Sequence, residues 1–144
     1  MAINRDKILQ EAQKLVEKRR YDKAIVEYTK LIVDDPQDVR TLLKIGDLHL
    51  KLEQFADAIS VYERVGQHYA TQGFLVKAVA VYKQIREIIQ KHVPHLEDRF
   101  GHIVPRLAEL LTDLGLISDA LLYYDEMAVR YQRVGRERDA IDIF

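Results

Sequence analysis

The sequence repeats a short pattern in which an alanine is followed four residues later by an aromatic residue. The five copies are Ala24/Tyr28, Ala58/Tyr62, Ala78/Tyr82, Ala120/Tyr124 and Ala140/Phe144. Residues four apart share one face of an α-helix, so the small alanine lets two helices approach closely and the aromatic ring fills the groove beside it. The recurrence therefore predicts a stack of helices that share one packing design.

The spacing of these copies is regular but not uniform. The first two alanines are thirty-four positions apart, and the following intervals are twenty, forty-two and twenty positions. A shift of sixty-two positions superimposes Tyr62 on Tyr124 and Gly73 on Gly135. The twenty-position interval fits one helix and its turn. We therefore expect the helices at 55–71 and 117–134 each to close one hairpin and open the next.

Helical periodicity dominates the chain, while six glycines and three prolines punctuate it. Asp38 is expected to cap a helix, Pro105 to lie in the first turn of another, and Gly135 to break the chain between two more. The pattern predicts an all-α fold of about eight helices. Their approximate ranges are 4–18, 22–33, 39–52, 55–71, 74–91, from 102 onward, 117–134 and from 136 onward.

Composition excludes several classes of function. The chain has 144 residues, which suits a single domain over 1–144, and the 48% of apolar residues can form a substantial core. The absence of cysteine excludes disulfides, thiolate zinc sites and a cysteine nucleophile. A net charge of −1 argues against nucleic-acid binding. Because no apolar run could form a signal peptide or membrane span, we predict a cytoplasmic protein without membrane insertion.

The sequence contains no recognisable catalytic or metal-binding pattern. Neither of the two glycine-rich phosphate-binding motifs is present, so we predict no enzyme and no cofactor. His92, His95 and His102 lie near Glu97 and Asp98, but their spacing matches no helical zinc motif. We therefore interpret this segment as a polar loop between repeat units.

The helical segments match a known repeat pattern that combines small residues, aromatic residues and a closing proline. The matching residues are Ala12, Ala24, Tyr28, Pro36, Gly46, Ala58, Tyr62, Gly66, Tyr69, Ala78, Tyr82, Ala108, Ala120 and Tyr124. On these residues the chain resembles the tetratricopeptide-repeat (TPR) family, with repeats at about 5–38, 39–72, an overlapping 59–92, 101–134 and the start of another to 144. Leu42 stands where the family commonly has tryptophan.

This resemblance implies a right-handed α-solenoid of antiparallel helix hairpins that acts as a protein-binding scaffold. In the family, first-helix residues that point away from the second helix line a concave groove. The corresponding residues here are Leu9, Gln13, Val16, Arg40, Leu43, Asp47, Leu50 and Lys51. The four apolar residues form pairs seven residues apart, which places each pair on one helix face. They are predicted to receive a partner helix or peptide; the alternative is that they are ordinary core residues.

The last residues suggest a second kind of interaction. Ile141 and Phe144 have the pattern of a buried face with no later helix to cover it, so we expect this chain to be the N-terminal part of a longer one. The alternative function is self-association through this open end. The resemblance also suggests, at family level, a partner from a bacterial motility, secretion or signalling assembly.

Overall fold

The computed structural model describes the backbone of residues 3–143 and the side chains of residues 3–135. Within that range the fold is all-α, with no strand. The helices are α1 (Arg5–Glu17), α2 (Tyr21–Asp34), α3 (Val39–Lys51), α4 (Phe55–Thr71), α5 (Leu75–His92), α6 (Ile103–Asp113) and α7 (Ile117–Ile143). A 3₁₀ turn at Pro94–Leu96 connects α5 to α6.

The predicted break at Gly135 is wrong, because α7 continues through this residue to Ile143. A glycine inside a helix costs about 1 kcal/mol relative to alanine but does not by itself end the helix. Gly73 does mark a helix end, since its backbone turns into the left-handed region with φ of 83°. The described chain therefore contains seven α-helices, and the predicted seventh and eighth are one.

Each helix packs against the next one along the chain, from α1 through to α7. Ion pairs then join alternate helices. Arg5 binds Asp38 at 2.5 Å and links α1 to α3, whereas Arg86 binds Glu126 at 2.8 Å and links α5 to α7. The fold is thus a two-layer helical stack with α1, α3, α5 and α7 in one layer and α2, α4 and α6 in the other. This arrangement confirms the predicted TPR-like all-α architecture.

Four of the turns between helices share one hydrogen-bonded geometry. Their left-handed residues are Arg19, Glu53, Gly73 and Gly115, with φ of 58°, 56°, 83° and 79°. After each of them, the next backbone N–H donates to the carbonyl five residues earlier, as from Phe74 to Tyr69 at 2.8 Å. This is the Schellman motif, which satisfies the last carbonyls of a helix while the chain turns back.

Tyrosines pack directly onto glycines of the preceding helix. A Cβ atom on Gly46 would lie 2.6 Å from Cε1 of Tyr62, and one on Gly66 would lie 2.7 Å from Cε2 of Tyr82. Both rings are buried. The Ala-x3-aromatic pattern predicts that two helices approach closely. In both places a glycine sixteen residues before the tyrosine leaves room for its ring.

Candidate protein-binding surfaces

The predicted groove residues lie on a surface of α1 and α3 that we call the α1–α3 face. Its leucines and valine are half-buried and pack against the core, while each keeps part of its surface exposed. Its polar members are exposed. The apolar members are Leu9, Val16, Leu43 and Leu50, and the polar members are Gln13, Arg40, Asp47 and Lys51. Each apolar side chain thus belongs partly to the core and partly to the surface, and its role in binding remains a prediction.

An ion-pair network fixes α1 beside the start of α3. The Arg5 guanidinium binds the Asp38 carboxylate at 2.5 Å and Asp34 at 3.3 Å. Asp38 also caps α3, because its carboxylate accepts from the Thr41 N–H at 3.1 Å and from the Thr41 hydroxyl at 2.7 Å. Burial acts to raise the pKa of Asp38, but these bonds and the Arg5 charge outweigh it and hold that pKa below its usual value.

Asp47 of the α1–α3 face accepts a hydrogen bond from the Tyr62 hydroxyl of α4. Burial, with a further contribution from Asp47, raises the pKa of Tyr62, so the phenol remains a neutral donor at physiological pH. Gln84 of α5 opposes that increase in the pKa of Tyr62. The hydrogen bond to Asp47 connects α4 to α3, and the sequence carries no signal for it.

Two lysines of α3 lie over tyrosines of α2. The Lys51 ammonium is 5.0 Å from the centroid of the Tyr21 ring, and that of Lys44 is 5.5 Å from the Tyr28 ring. Such cation–π contacts stabilise the pair only modestly at exposed sites. Lys51 thus lies at the boundary between α2 and α3, on the edge of the α1–α3 face.

A concave surface lies between α4 and α6, and we call it the α4–α6 cleft. It has a volume of about 520 Å³. His102 Nε2 and Glu63 Oε1 are 2.6 Å apart across it, and Arg106 binds Glu109 at 3.0 Å along α6. Its lining residues are Glu63, Gln67, Tyr82, Gly101, His102, Pro105, Arg106, Glu109 and Tyr131. Sequence patterns did not predict the pairing of His102 with Glu63, because the two residues lie far apart along the chain.

The two surfaces lie in different layers of the stack. The Tyr62 hydroxyl reaches the layer of α3 and α5, as its hydrogen bond to Asp47 of α3 shows. Tyr82 reaches the other layer instead. Burial and the Glu63 carboxylate raise the pKa of Tyr82, while Arg106 of α6 opposes that increase. The direction of tyrosine packing therefore changes at α4. Tyr62 of α4 packs on α3, whereas Tyr82 of α5 packs on α4.

Apolar side chains form an exposed row along α7, which we call the α7 stripe. Its spacing of four and three residues places all members on one helix face. They are Ile117, Leu121, Tyr124, Ala128 and Tyr131. The predicted assembly residues Ile141 and Phe144 lie outside the residues whose side chains are described.

The histidines considered as metal ligands are not brought together. The His92 ring stacks on Phe55, with centroids 4.2 Å apart, and His102 pairs with Glu63. Within the described part of the chain, no three acidic or histidine side chains converge as a metal site would require. Over residues 3–143, no helix has both the length and the apolar character needed to span a bilayer.

Comparison with known proteins finds similarities among solved structures only. No family model matches the sequence, and no curated protein matches it. Among solved structures, 16 chains match. One is a crystal structure of MamA, which is 16% identical over 87% of this chain and 96% of that one, with a TM-score of 0.35.

Proposed function

We propose that this protein is a cytoplasmic interaction scaffold, not an enzyme, and that its α1–α3 face binds a helix or extended segment of another protein. The observation that supports this most directly is the half-buried state of Leu9, Val16, Leu43 and Leu50. Their inner parts are held by the core, so their outer parts form a preorganised apolar surface. Preorganised side chains lose little entropy on binding.

The spacing of these side chains defines the shape of the partner. Leu9 and Val16, like Leu43 and Leu50, are two turns apart, which corresponds to about 10.5 Å along a helix axis. An amphipathic partner helix with apolar residues at positions i, i+3, i+4 and i+7 would match this spacing. Exposed Gln13 and Arg40 at the rim would contribute to specificity more than to affinity.

The family resemblance adds a partner class to this proposal. Helical repeat scaffolds of this type are expected in bacterial motility, secretion or signalling assemblies, and we propose a partner from one of these. Self-association through the end near Ile141 and Phe144 remains the alternative prediction.

The test compares two double variants in a pull-down followed by affinity measurement with the purified partner. Leu43→Asp/Leu50→Asp adds two charges to the α1–α3 face. Val26→Asp/Val33→Asp is the matched control, because these valines are also seven residues apart but lie on α2 with 60% and 80% of their surface exposed. We expect the first variant to weaken binding at least tenfold and the control to leave it unchanged. The reason is that burying one such apolar side chain contributes about 1.5–3 kcal/mol.

Circular dichroism of both variants separates a binding defect from an unfolded protein. Arg40→Glu provides a further check, since Arg40 is exposed and its reversal leaves the core intact. Equal binding by all variants would place the partner on another surface. Unfolding of the leucine variant together with normal binding by Arg40→Glu would show that the leucines are core residues only.

A further inference from the structure

The α7 stripe has a structural twin on α4. α3 ends at Lys51 and α6 at Asp113, while α4 begins at Phe55 and α7 at Ile117. Both pairs differ by sixty-two positions, as the sequence repeat does. The hairpin of α6 and α7 is therefore a second copy of the hairpin of α3 and α4, and residues of α7 can be compared with residues of α4 one by one.

On α4 the equivalent residues are covered. Ile59 and Tyr62 are completely buried, and Gly66 lies against the Tyr82 ring of α5. Their counterparts on α7 are Leu121 and Tyr124, which are 54% and 42% exposed, and Ala128, which is also exposed. The two faces have similar chemistry. α5 packs on α4, whereas the part of the chain that the structure describes has no helix after α7. The full sets are Phe55, Ile59, Tyr62, Gly66 and Tyr69 on α4, and Ile117, Leu121, Tyr124, Ala128 and Tyr131 on α7.

The chain carries a matching segment directly after the α7 stripe. The chain reaches α5 through the turn at Gly73, and α5 presents Ala78 and Tyr82. Sixty-two positions later the sequence has Gly135, Ala140 and Phe144. The same glycine followed by the same Ala-x3-aromatic element thus occurs at the equivalent place after the α7 stripe.

We propose that Gly135 is a hinge and that residues 136–144 fold back to dock on the α7 stripe of the same chain, as α5 docks on α4. α7 then has two arrangements, the straight helix of the structure and a folded form with a Schellman turn at Gly135. In that turn the Gly135 and Arg136 N–H groups donate to the Gln132 and Tyr131 carbonyls, as those of Gly73 and Phe74 donate to Ala70 and Tyr69.

The docked segment continues an interface that already exists. It occupies the layer of α2, α4 and α6, beside α6. Tyr131 belongs both to the α7 stripe and to the lining of the α4–α6 cleft. Docking therefore extends that layer by one helix. This inference is independent of partner binding at the α1–α3 face.

Distance measurement by pulsed electron paramagnetic resonance tests the proposal. The chain has no cysteine, so Asp119→Cys and Asp142→Cys give two unique labelling sites. A straight α7 separates these positions by about 35 Å, at about 1.5 Å of rise for each intervening residue. In the folded form they take the places of Asp57 and Ala80, where the antiparallel offset and the spacing between helix axes give about 16 Å. We expect a population at the short distance.

Adjacent residues of α7 provide a matched control. Leu121→Asp places a charge on the stripe, whereas Leu122→Asp places the same charge beside it, at the position equivalent to exposed Ser60. Leu122 is 68% exposed in the straight form. We expect the short distance to be lost in Leu121→Asp and retained in Leu122→Asp. Gly135→Ala should also remove it, because alanine disfavours the left-handed turn.

Three results would overturn the proposal. One is a single distance near the value for a straight helix in the otherwise unchanged chain. Another is an equal response of the short distance to Leu121→Asp and Leu122→Asp. The last is disappearance of the short distance when labelled chain is diluted with an excess of unlabelled chain, which would make a second copy the occupant of the stripe.

Discussion

Gly46 shows how a single residue sets the distance between two helices. Its missing side chain lets the Tyr62 ring lie against the α3 backbone, where the phenol reaches Asp47. The ring cannot move aside easily, since it is completely buried and hydrogen-bonded at its tip. Packing at this point is therefore intolerant of even one added methyl group.

Gly46→Ala is expected to destabilise the protein by about 1–2 kcal/mol. The overpacking cost of about 1–3 kcal/mol exceeds the gain of about 1 kcal/mol from alanine's helix propensity. Urea unfolding measures the change. In a Tyr62→Leu background the same substitution should be neutral or stabilising, because the ring is gone. An equal loss in both backgrounds would show that the two residues are not coupled.

Asp38 makes the folding stability of the protein depend on pH. The pKa of Asp38 is lower in the folded chain than in the unfolded chain, so its stabilising contribution is complete above about pH 5. It is lost as the pH falls below about 4, through the folded-state pKa. Asp38→Ala should cost about 1 kcal/mol at pH 7 and less at pH 3. Urea unfolding at both pH values checks this.

Asp38→Asn is the control for that experiment. It keeps an oxygen acceptor for the Thr41 N–H but removes the charge that pairs with Arg5. Its stability should therefore change less between pH 7 and pH 3 than that of the unmodified chain. An unchanged pH dependence would assign the effect to other carboxylates.

At the scale of elements, the four Schellman turns use two kinds of residue for one conformation. Glycine adopts the left-handed region at Gly73 and Gly115, whereas Arg19 and Glu53 adopt it with a side chain. A non-glycine residue in this conformation costs about 1–2 kcal/mol of strain. Replacing it with glycine relieves that strain, but glycine loses more conformational entropy on folding, so the net gain in stability is smaller. The turns at Arg19 and Glu53 are thus strained where the other two are relaxed.

Glu53→Gly should therefore stabilise the protein by about 0.5–1 kcal/mol, and Gly115→Ala should destabilise it by about 1–2 kcal/mol. Thermal or urea unfolding of the two variants gives the comparison. A Cβ at Gly115 would meet nothing within 4 Å, so its effect reports backbone strain without a steric clash. Two changes of the same sign would contradict the assignment of strain.

Sequence patterns predicted most of the elements because helices end at visible signals. The range predicted for α4 agrees with its observed bounds, Phe55–Thr71, since polar residues precede it and Gly73 follows it. The patterns failed at Gly135, which resembles Gly73 in sequence but lies inside α7. Glycine permits a turn without requiring one, and packing partners decide the outcome. The left-handed conformations of Arg19 and Glu53 had no sequence signal.

At the scale of the whole molecule, contacts run only between neighbouring helices and between alternate ones over the part of the chain that the structure describes. Such a stack opens locally, and a defect spreads mainly to adjacent helices. α5 is the most informative place to test this, because it lies between α4 and α6 and Ile85 is completely buried.

Ile85→Ala should cost about 2–5 kcal/mol and lower hydrogen-exchange protection in α4, α5 and α6 more than in α1. Exchange measured by mass spectrometry on peptides from each helix checks this. Uniform loss of protection across α1 to α6 would instead show that the stack unfolds as one cooperative unit.

The candidate surfaces were predictable only in part at this scale. Repeat positions identified Leu43 and Leu50 as surface candidates, but their half-buried state depends on how neighbouring helices pack. The Glu63–His102 pair joins residues that are distant along the chain, and a single sequence gives no measure of which distant residues meet. Contacts between alternate helices therefore had to come from the structure.

α4 serves as the second helix of one hairpin and the first helix of the next, because it contributes Tyr62 to α3 and receives Tyr82 from α5. Because successive helices alternate between two layers, a helix that belongs to two hairpins moves the first helix of every later hairpin into the opposite layer. Equivalent residues before and after α4 consequently point in opposite directions. A molecule bound before this helix and another bound after it would sit back to back, so the chain could bridge them without either blocking the other.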